Sequence, residues 1–238
     1  MYPSIDNEEL SLKVHRILLK MLKEGKFAGR KRLPPEAVLV EKLGVSRSVI
    51  RDALSLLEAE GFITRKRGVG TVINEHVLSK TPRLDLENDF LLMLESEGYK
   101  ARTDHIRVTR GSGDQSGDLL VEKRVMADET PAIFILDRIP GSILPEQVDV
   151  NTLKDSIYPF LRNQCSRQPT VVMLDIMPRS SDPKVMEMLA IGEHQPYLEV
   201  TETGYDLDQN IVITSTLCYR ADLFHFSILR KEAFTYVK

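Results

Sequence analysis

The chain reads as an α+β protein in two parts, a small winged helix-turn-helix domain followed by a larger antiparallel-sheet domain with helices. Three observations predict this. Residues 33–73 set two short helical patterns, a tight turn and a basic, glycine-rich hairpin in one continuous run. Beyond residue 100 the apolar period shortens from that of a helix to that of a strand. Charge also divides: residues 1–73 carry 14 Lys and Arg against 9 Asp and Glu, a balance of +5, whereas residues 74–238 carry 18 against 26, a balance of −8. Together these give the net −3 of the 238-residue chain.

In the first part, Leu12 to Lys23 predicts a helix with Val14, Ile17, Leu18, Met21 and Leu22 facing inward and a stop near Gly25. Leu39 and Leu43 lie one turn apart at the end of a second helix. Gly44 suits the left-handed residue that stops it. Ser46 can cap the third helix, where Ile50, Ala53, Leu54 and Leu57 follow the i, i+3, i+4, i+7 spacing of a buried stripe. Arg47, Ser48, Arg51 and Ser55 fall on its other side. Such a face can enter a major groove, guanidinium groups reading guanine edges and hydroxyls meeting phosphate.

Any amphipathic surface helix can carry two arginines, so the helix alone does not decide for DNA. The hairpin that follows does. Arg65-Lys66-Arg67-Gly68-Val69-Gly70-Thr71 is a cationic glycine turn between two short strands. Like charges at a hairpin tip repel unless a phosphate backbone neutralises them. Residues 1–75 are therefore expected to bind DNA, residues 76–85, with Pro82, to form a linker, and residues 86–238 to form the second domain.

The segments LPPE, GVSRSVIRDAL, LEAEGFI and RGVGTVI within residues 8–75 resemble the DNA-binding domain of the GntR family of bacterial transcription regulators. The resemblance implies that Ser46, Arg47, Ser48 and Arg51 contact operator bases and phosphates, and that Gly68 and its neighbours lie in the minor groove. One departure stands out. The family usually has arginine directly after the glutamate of LPPE, where this chain has Ala37.

After a helix expected from Leu86 to Glu97 and ended by Gly98, strands are expected at 105–109, 119–127, 132–139, 170–177, 198–206 and 211–221. Turn residues such as Asp128-Glu129 and Asp208-Gln209-Asn210 join several of them. Helices at 153–164 and 183–190 interrupt. Hairpins with inserted helices predict an antiparallel sheet covered on one face. The order, with Arg124-Val125, Ala127-Asp128, Pro131, Tyr158-Pro159-Phe160-Leu161 and Tyr219-Arg220-Ala221-Asp222, resembles the UTRA effector-binding domain of HutC-type GntR regulators, which has a chorismate lyase-like fold. That resemblance implies a small-molecule effector.

Phosphate or carboxylate recognition needs fixed donors. Thr103, Lys123 and Arg124 lie where relatives place hydroxyl and arginine residues, and Tyr219 matches a tyrosine that lines the pocket. Ile135 and Ile213 replace carboxylates that relatives aim at sugar hydroxyls, which argues against a hexose phosphate. The effector expected is a small anion with a modestly polar or apolar remainder. For Lys123 and Arg124 a solvated strand face is the alternative, and Arg220 with Asp222 is expected to be a structural ion pair.

Other functions find little support. Cys165 and Cys218 share no metal-binding spacing, the five histidines are dispersed, and no catalytic pair, nucleophile elbow or phosphate loop is present. No catalytic residue, metal or cofactor is expected. No apolar stretch reaches 18 residues and no secretory segment is visible, so a cytoplasmic protein without membrane contact is expected. The sequence thus predicts a homodimeric repressor with a palindromic double-stranded DNA operator and a metabolite effector. An effector-independent DNA binder and a lyase-like enzyme are the alternatives.

Overall fold

A computed structural model of the chain describes residues 7–78, 83–86, 89–113, 117–153 and 156–231. The chain divides into two compact units, Met1–Glu87 together with Phe226–Lys238, and Asn88–His225. The sequence boundary assigns everything after residue 85 to the second part. The structure groups the tail from Phe226 with the first, where Ser227 pairs with Arg83 and Leu229 lies against Gly61.

The first unit contains α1 (Asn7–Lys23), α2 (Glu36–Leu43), α3 (Arg47–Ala59), the hairpin β1 (Ile63–Lys66) and β2 (Gly70–Ile73), and a single turn, α4 (Glu75–Leu78). Val49, Ile50, Ala53, Leu54 and Leu57 of α3 are buried, in one core with Val14, Leu18 and Leu22 of α1. Each fully buried Ile or Leu contributes about 1.5–3 kcal/mol relative to exposure. Gly44 ends α2 at φ 66°, its N–H bonded to Val40 O. Helix α1 starts five residues earlier than the sequence pattern suggests, and Ile17 is 47% exposed rather than inward-facing. On a helix it stands about 100° from Leu18, off the stripe formed by Val14, Leu18 and Leu22. The expected linker is partly built structure. In it Val77 joins the core, just after Asn74, whose Nδ2 donates to Gly61 O at 2.7 Å, whereas residues 79–82, with Pro82, lie outside the described residues.

The second unit holds α5 (Phe90–Ser96), β3 (Ala101–Arg110), β4 (Leu119–Ala127), β5 (Thr130–Ile139), α6 (Tyr158–Asn163), β6 (Val171–Arg179), α7 (Pro183–Leu189), β7 (Tyr197–Tyr205) and β8 (Ile211–Arg220). The six strands form one antiparallel sheet in the order β3-β4-β5-β8-β7-β6. Two expected helices are shorter than their patterns. Asp89 caps α5, its carboxylate accepting from Leu91 N and Leu92 N, and residues 87–88 of the expected span lie outside the described residues. The stretch 153–164 resolves into a 3-10 turn at Val150–Leu153 and α6, with residues 154–155 outside the described residues.

Both sheet faces are covered, where the sequence suggests one. Leu119, Val121, Ile139 and Ile213 pack with Leu153, Phe160 and Leu161, whereas Phe134 and Cys218 pack with Val185 and Leu189 of α7. The alternation of β4 and β5 is the reason. On each strand the residues of both parities are apolar or paired, so both faces need a layer above them.

One polar group lies within the first of these layers. Lys123 and Asp137 are 4% and 2% exposed, and Lys123 Nζ stands 3.0 Å from Asp137 Oδ2. Ser215 Oγ donates to Asp137 Oδ1 at 2.6 Å. Removing one member of a buried pair strands the other charge, at a cost of about 3–5 kcal/mol, whereas replacing both with apolar groups of similar volume is nearly neutral. Lys123→Met should therefore destabilise this unit by about 3–5 kcal/mol, and adding Asp137→Leu should recover most of the loss. Urea denaturation followed by tyrosine fluorescence reads this unit, which holds Tyr99, Tyr158, Tyr197, Tyr205 and Tyr219. Equal losses in the single and double variants would refute the pairing. Burial also pushes the Cys218 thiol up to about 12 and raises that of Cys165. Both thiols should stay protonated and fail to react with a disulfide reagent at pH 8 until the protein unfolds. Rapid reaction of the folded chain would contradict this.

Candidate nucleic-acid interface and effector face

Burial of the apolar stripe of α3 turns its other side outward. Ser46, Arg47, Ser48, Arg51 and Ser55 are all exposed. Ser46 Oγ accepts from Val49 N at 3.3 Å as the helix cap and lies 2.8 Å from Ser48 Oγ. Arg51 Nε donates to Glu36 Oε2 at 3.0 Å, which ties the start of α2 to the exposed face of α3. Among the described residues Arg51 Nη1 and Nη2 make no hydrogen bond. Ala37 follows Glu36 on α2, so the first turn of that helix presents a carboxylate and a methyl group where the family has arginine.

The wing is held at its root and open at its tip. Ile63 pairs with Ile73 and Lys66 with Gly70. A third segment joins β2: Leu33 N donates to Thr71 O at 2.9 Å, and Arg32 bridges Val72. Gly68 and Gly70 have φ of 78° and 96°, with nothing near the place a side chain would occupy. Arg65 behaves differently from its neighbours. Its backbone N–H and Nε donate to the Glu58 carboxylate at 2.6 and 2.7 Å, and its Nη2 donates to Ser55 Oγ at 3.0 Å. Burial raises the Glu58 carboxyl, but these bonds and the Arg65 charge outweigh it and hold the group below its ordinary value. Arg65 thus braces the wing against α3, whereas among the described residues the side chains of Arg47, Lys66 and Arg67 form no ion pair or hydrogen bond. Glu36 and Glu58 were missed in the sequence because acidic residues beside a basic face look like ordinary surface charges. Only their placement opposite Arg51 and Arg65 shows the use.

In the second unit, register places the candidate effector residues. Lys123 pairs with Ile135, Asp137 with Ser215, Ile133 with Tyr219 and Thr103 with Val125. With this register and the alternation along β4, β5 and β8, Thr103, Lys123, Ile135, Ile213 and Tyr219 share one face. Arg124 lies on the other. It pairs with Phe134 and His105, and its Nε and Nη2 donate to the Asp104 carboxylate at 2.8 and 2.9 Å. Asp104 is the extra residue of a bulge between Thr103 and His105, and the Arg124 hydrogen bond holds its carboxyl below the usual range. Lys123 and Arg124, both candidates from the sequence, thus lie on opposite sheet faces, because consecutive strand residues point apart.

The shared face has mixed chemistry. Ile135 and Ile213 are buried, and Tyr219 packs edge-on against Phe90 and Phe224 with centroids 6.4 and 5.1 Å away. Burial pushes the Tyr219 phenol well above its ordinary value, so its hydroxyl stays protonated. Asp137 Oδ2 accepts no directed hydrogen bond among the described residues, although Lys123 stands beside it. Glu202 pairs with Ser215 from β7 and adds a second carboxylate to this row. The sequence reading missed Asp137, Ser215 and Glu202, since strand register alone brings them to Lys123. Arg220 Nε and Nη2 meet Asp222 at 2.8 and 3.0 Å, the ion pair expected.

Among the described residues no group of three or more His, Cys, Asp or Glu side chains is placed to hold a metal ion, and no helix is long and apolar enough to cross a membrane.

Comparison with known proteins agrees in both parts. Residues 10–73 match the model of the bacterial regulatory proteins of the gntR family, and residues 92–225 match the UTRA domain. The histidine utilization repressor of Pseudomonas putida is 36% identical over 199 residues, covering 82% of this chain and 77% of that protein. The HTH-type transcriptional regulator GgaR of Escherichia coli K12 is 26% identical over 235 residues, covering 93% and 91%. Among solved structures, YydK of Bacillus subtilis matches 95% of this chain and all of its own with a TM-score of 0.69 at 16% identity. At that identity the likeness shows the fold. The family matches and the relatives indicate a regulator of transcription, and the chain belongs to the GntR family of bacterial regulators, in the HutC-type branch that carries a UTRA domain.

Proposed function

We propose that this protein is a DNA-binding repressor that works as a homodimer on a palindromic operator and is controlled by a small acidic metabolite. The observation that carries the DNA half is the outward face of α3, where Ser46, Arg47, Ser48 and Arg51 stand opposite a fully buried stripe. Two-fold pairing supports the operator reading, since one winged helix buries too little DNA for tight specific binding. Arg47 and Arg51 read base edges, Ser46 and Ser48 meet phosphate, and Lys66, Arg67, Gly68, Gly70 and Thr71 follow the backbone or minor groove. Arg65 contributes by holding the wing.

The effector half rests on the face shared by Thr103, Lys123, Ile135, Ile213 and Tyr219. Lys123 suits an acid group, Asp137 Oδ2 suits an N–H or O–H donor on the same ligand, and the isoleucines suit an apolar body. The Pseudomonas putida relative is named for histidine utilization, and an imidazole carries the N–H that Asp137 could accept. Histidine and other imidazole carboxylates therefore head the compounds to test.

Arg47→Ala should weaken binding at the selected operator by about 1–3 kcal/mol and relax preference at one base pair. Unchanged affinity and preference in gel shifts would refute the base contact. Lys66→Ala with Arg67→Ala should flatten the slope of log affinity against log salt by about two, since each phosphate contact contributes about 0.9. An unchanged slope would mean the tip points away from DNA. Thermal-shift screening of carboxylated and phosphorylated metabolites should yield an acidic compound whose shift is lost with Lys123→Met and kept with Arg124→Ala. A compound with no carboxylate or phosphate group, or a shift that survives Lys123→Met, would overturn this assignment.

A further inference from the structure

Residues 83–86 precede the UTRA unit in the chain and residues 226–231 follow it, yet both belong to the DNA-binding unit. They anchor each other. Arg83 and Ser227 form a parallel bridge, Leu84 N donates to Ser227 O at 3.1 Å, and Leu229 N donates to Asp85 Oδ1 at 3.4 Å.

From this anchor three side chains reach the C-terminal end of α3. Lys231 Nζ donates to Glu58 O and, at 2.8 Å, to Ala59 O. Arg83 Nη1 donates to Glu60 O at 2.6 Å, and its guanidinium pairs with Asp85 and stands 5.4 Å from the Phe62 ring centroid. Leu229 fills the space over Gly61, where φ is 79° and a Cβ would meet Leu229 Cδ2 at 2.1 Å. The last carbonyls of a helix lack intrahelical donors and carry partial negative charge, so two cations here complete the hydrogen bonding and match the dipole. Arg83 is 3% exposed, and Glu58, whose carbonyl Lys231 holds, also braces the wing through its carboxylate to Arg65. Recognition helix, wing root and both chain crossings meet at one helix end.

We propose that Arg83, Leu229 and Lys231 are positioning residues for DNA recognition. The linker strand and the C-terminal segment clamp the end of α3 and the wing root, and the state of this clamp sets operator affinity. One anchor enters the UTRA unit and the other leaves it. A rearrangement that loads either crossing therefore acts on the recognition helix without touching its DNA face. The proposal rests on the DNA-binding reading above, and its test separates the two.

The probe is the duplex that the full-length wild type enriches from a random-sequence pool. Lys231→Met should weaken binding to it about fivefold or more, within the range usual for coupled sites. Lys231→Arg should restore affinity to within about twofold, because the guanidinium can donate to the same carbonyls. The salt slope should not change, since Lys231 donates to helix carbonyls and not to phosphate. Amide exchange at residues 57–62 should quicken in Lys231→Met and in Leu229→Ala. A wild type that binds while Lys231→Met and Leu229→Ala bind equally well overturns the clamp alone. A slope reduced by about one overturns it too, by showing that Lys231 meets DNA directly. A wild type that enriches no sequence overturns the DNA reading and the clamp together.

Discussion

The burial of one face of α3 is the constraint on which the DNA-binding unit depends. Val49, Ile50, Ala53, Leu54 and Leu57 are buried together with the α1 residues Val14, Leu18 and Leu22, which fixes the rotation of the helix about its axis. A rotation of one residue, 100°, would take the stripe out of the core and the polar face off any DNA. The core therefore aims Ser46, Arg47, Ser48 and Arg51 before any ligand is met. Around it the ion pairs are local adjustments: Glu36 steadies Arg51, Glu58 steadies Arg65, and His15 Nε2 meets Glu60 Oε2 at 2.7 Å to tie α1 to the end of α3.

The UTRA unit is governed by a different rule, the alternation of side chains along paired strands. It seats Lys123 beside Asp137 and Ser215 on one sheet face and sends Arg124 to the other, where Asp104 holds it. The result is a buried charge pair on a face that also carries Ser215, Ile135, Ile213 and Tyr219. Such a pair contributes little net stability, because the desolvation of both ions offsets most of their attraction.

The two units share a chain but use charge differently. On the outward side of α3 and at the wing tip the cations are exposed, so salt screens them. Lys123 and Arg83 are sheltered, and each is matched to particular oxygens. Arg83 illustrates the second use, with its guanidinium divided among Asp85, Glu60 O and the Phe62 ring.

The DNA-binding half was largely legible in the sequence, because its information is local. Helical spacing placed the stripe of α3, Gly44 and Ser46 marked the stop and the cap, and the glycines between cations marked the wing. Strand positions in the UTRA unit were also legible to within a few residues, since apolar and β-branched runs bounded by turn residues mark them. What the sequence could not decide was pairing between distant segments. Asp137 and Ser215 are 78 residues apart, and Lys231 lies 172 residues beyond Ala59. No spacing rule spans such distances. Strand order and the return of the tail are set by which surfaces bury each other once the chain has collapsed. The sequence by itself determined the elements, their faces and the basic DNA surface. Only the tertiary structure decided that Arg65 braces the wing, that Arg124 turns to Asp104 on the sheet face opposite Lys123, and that Arg83 and Lys231 donate to the carbonyls at the end of α3, because each depends on a partner brought near by the fold.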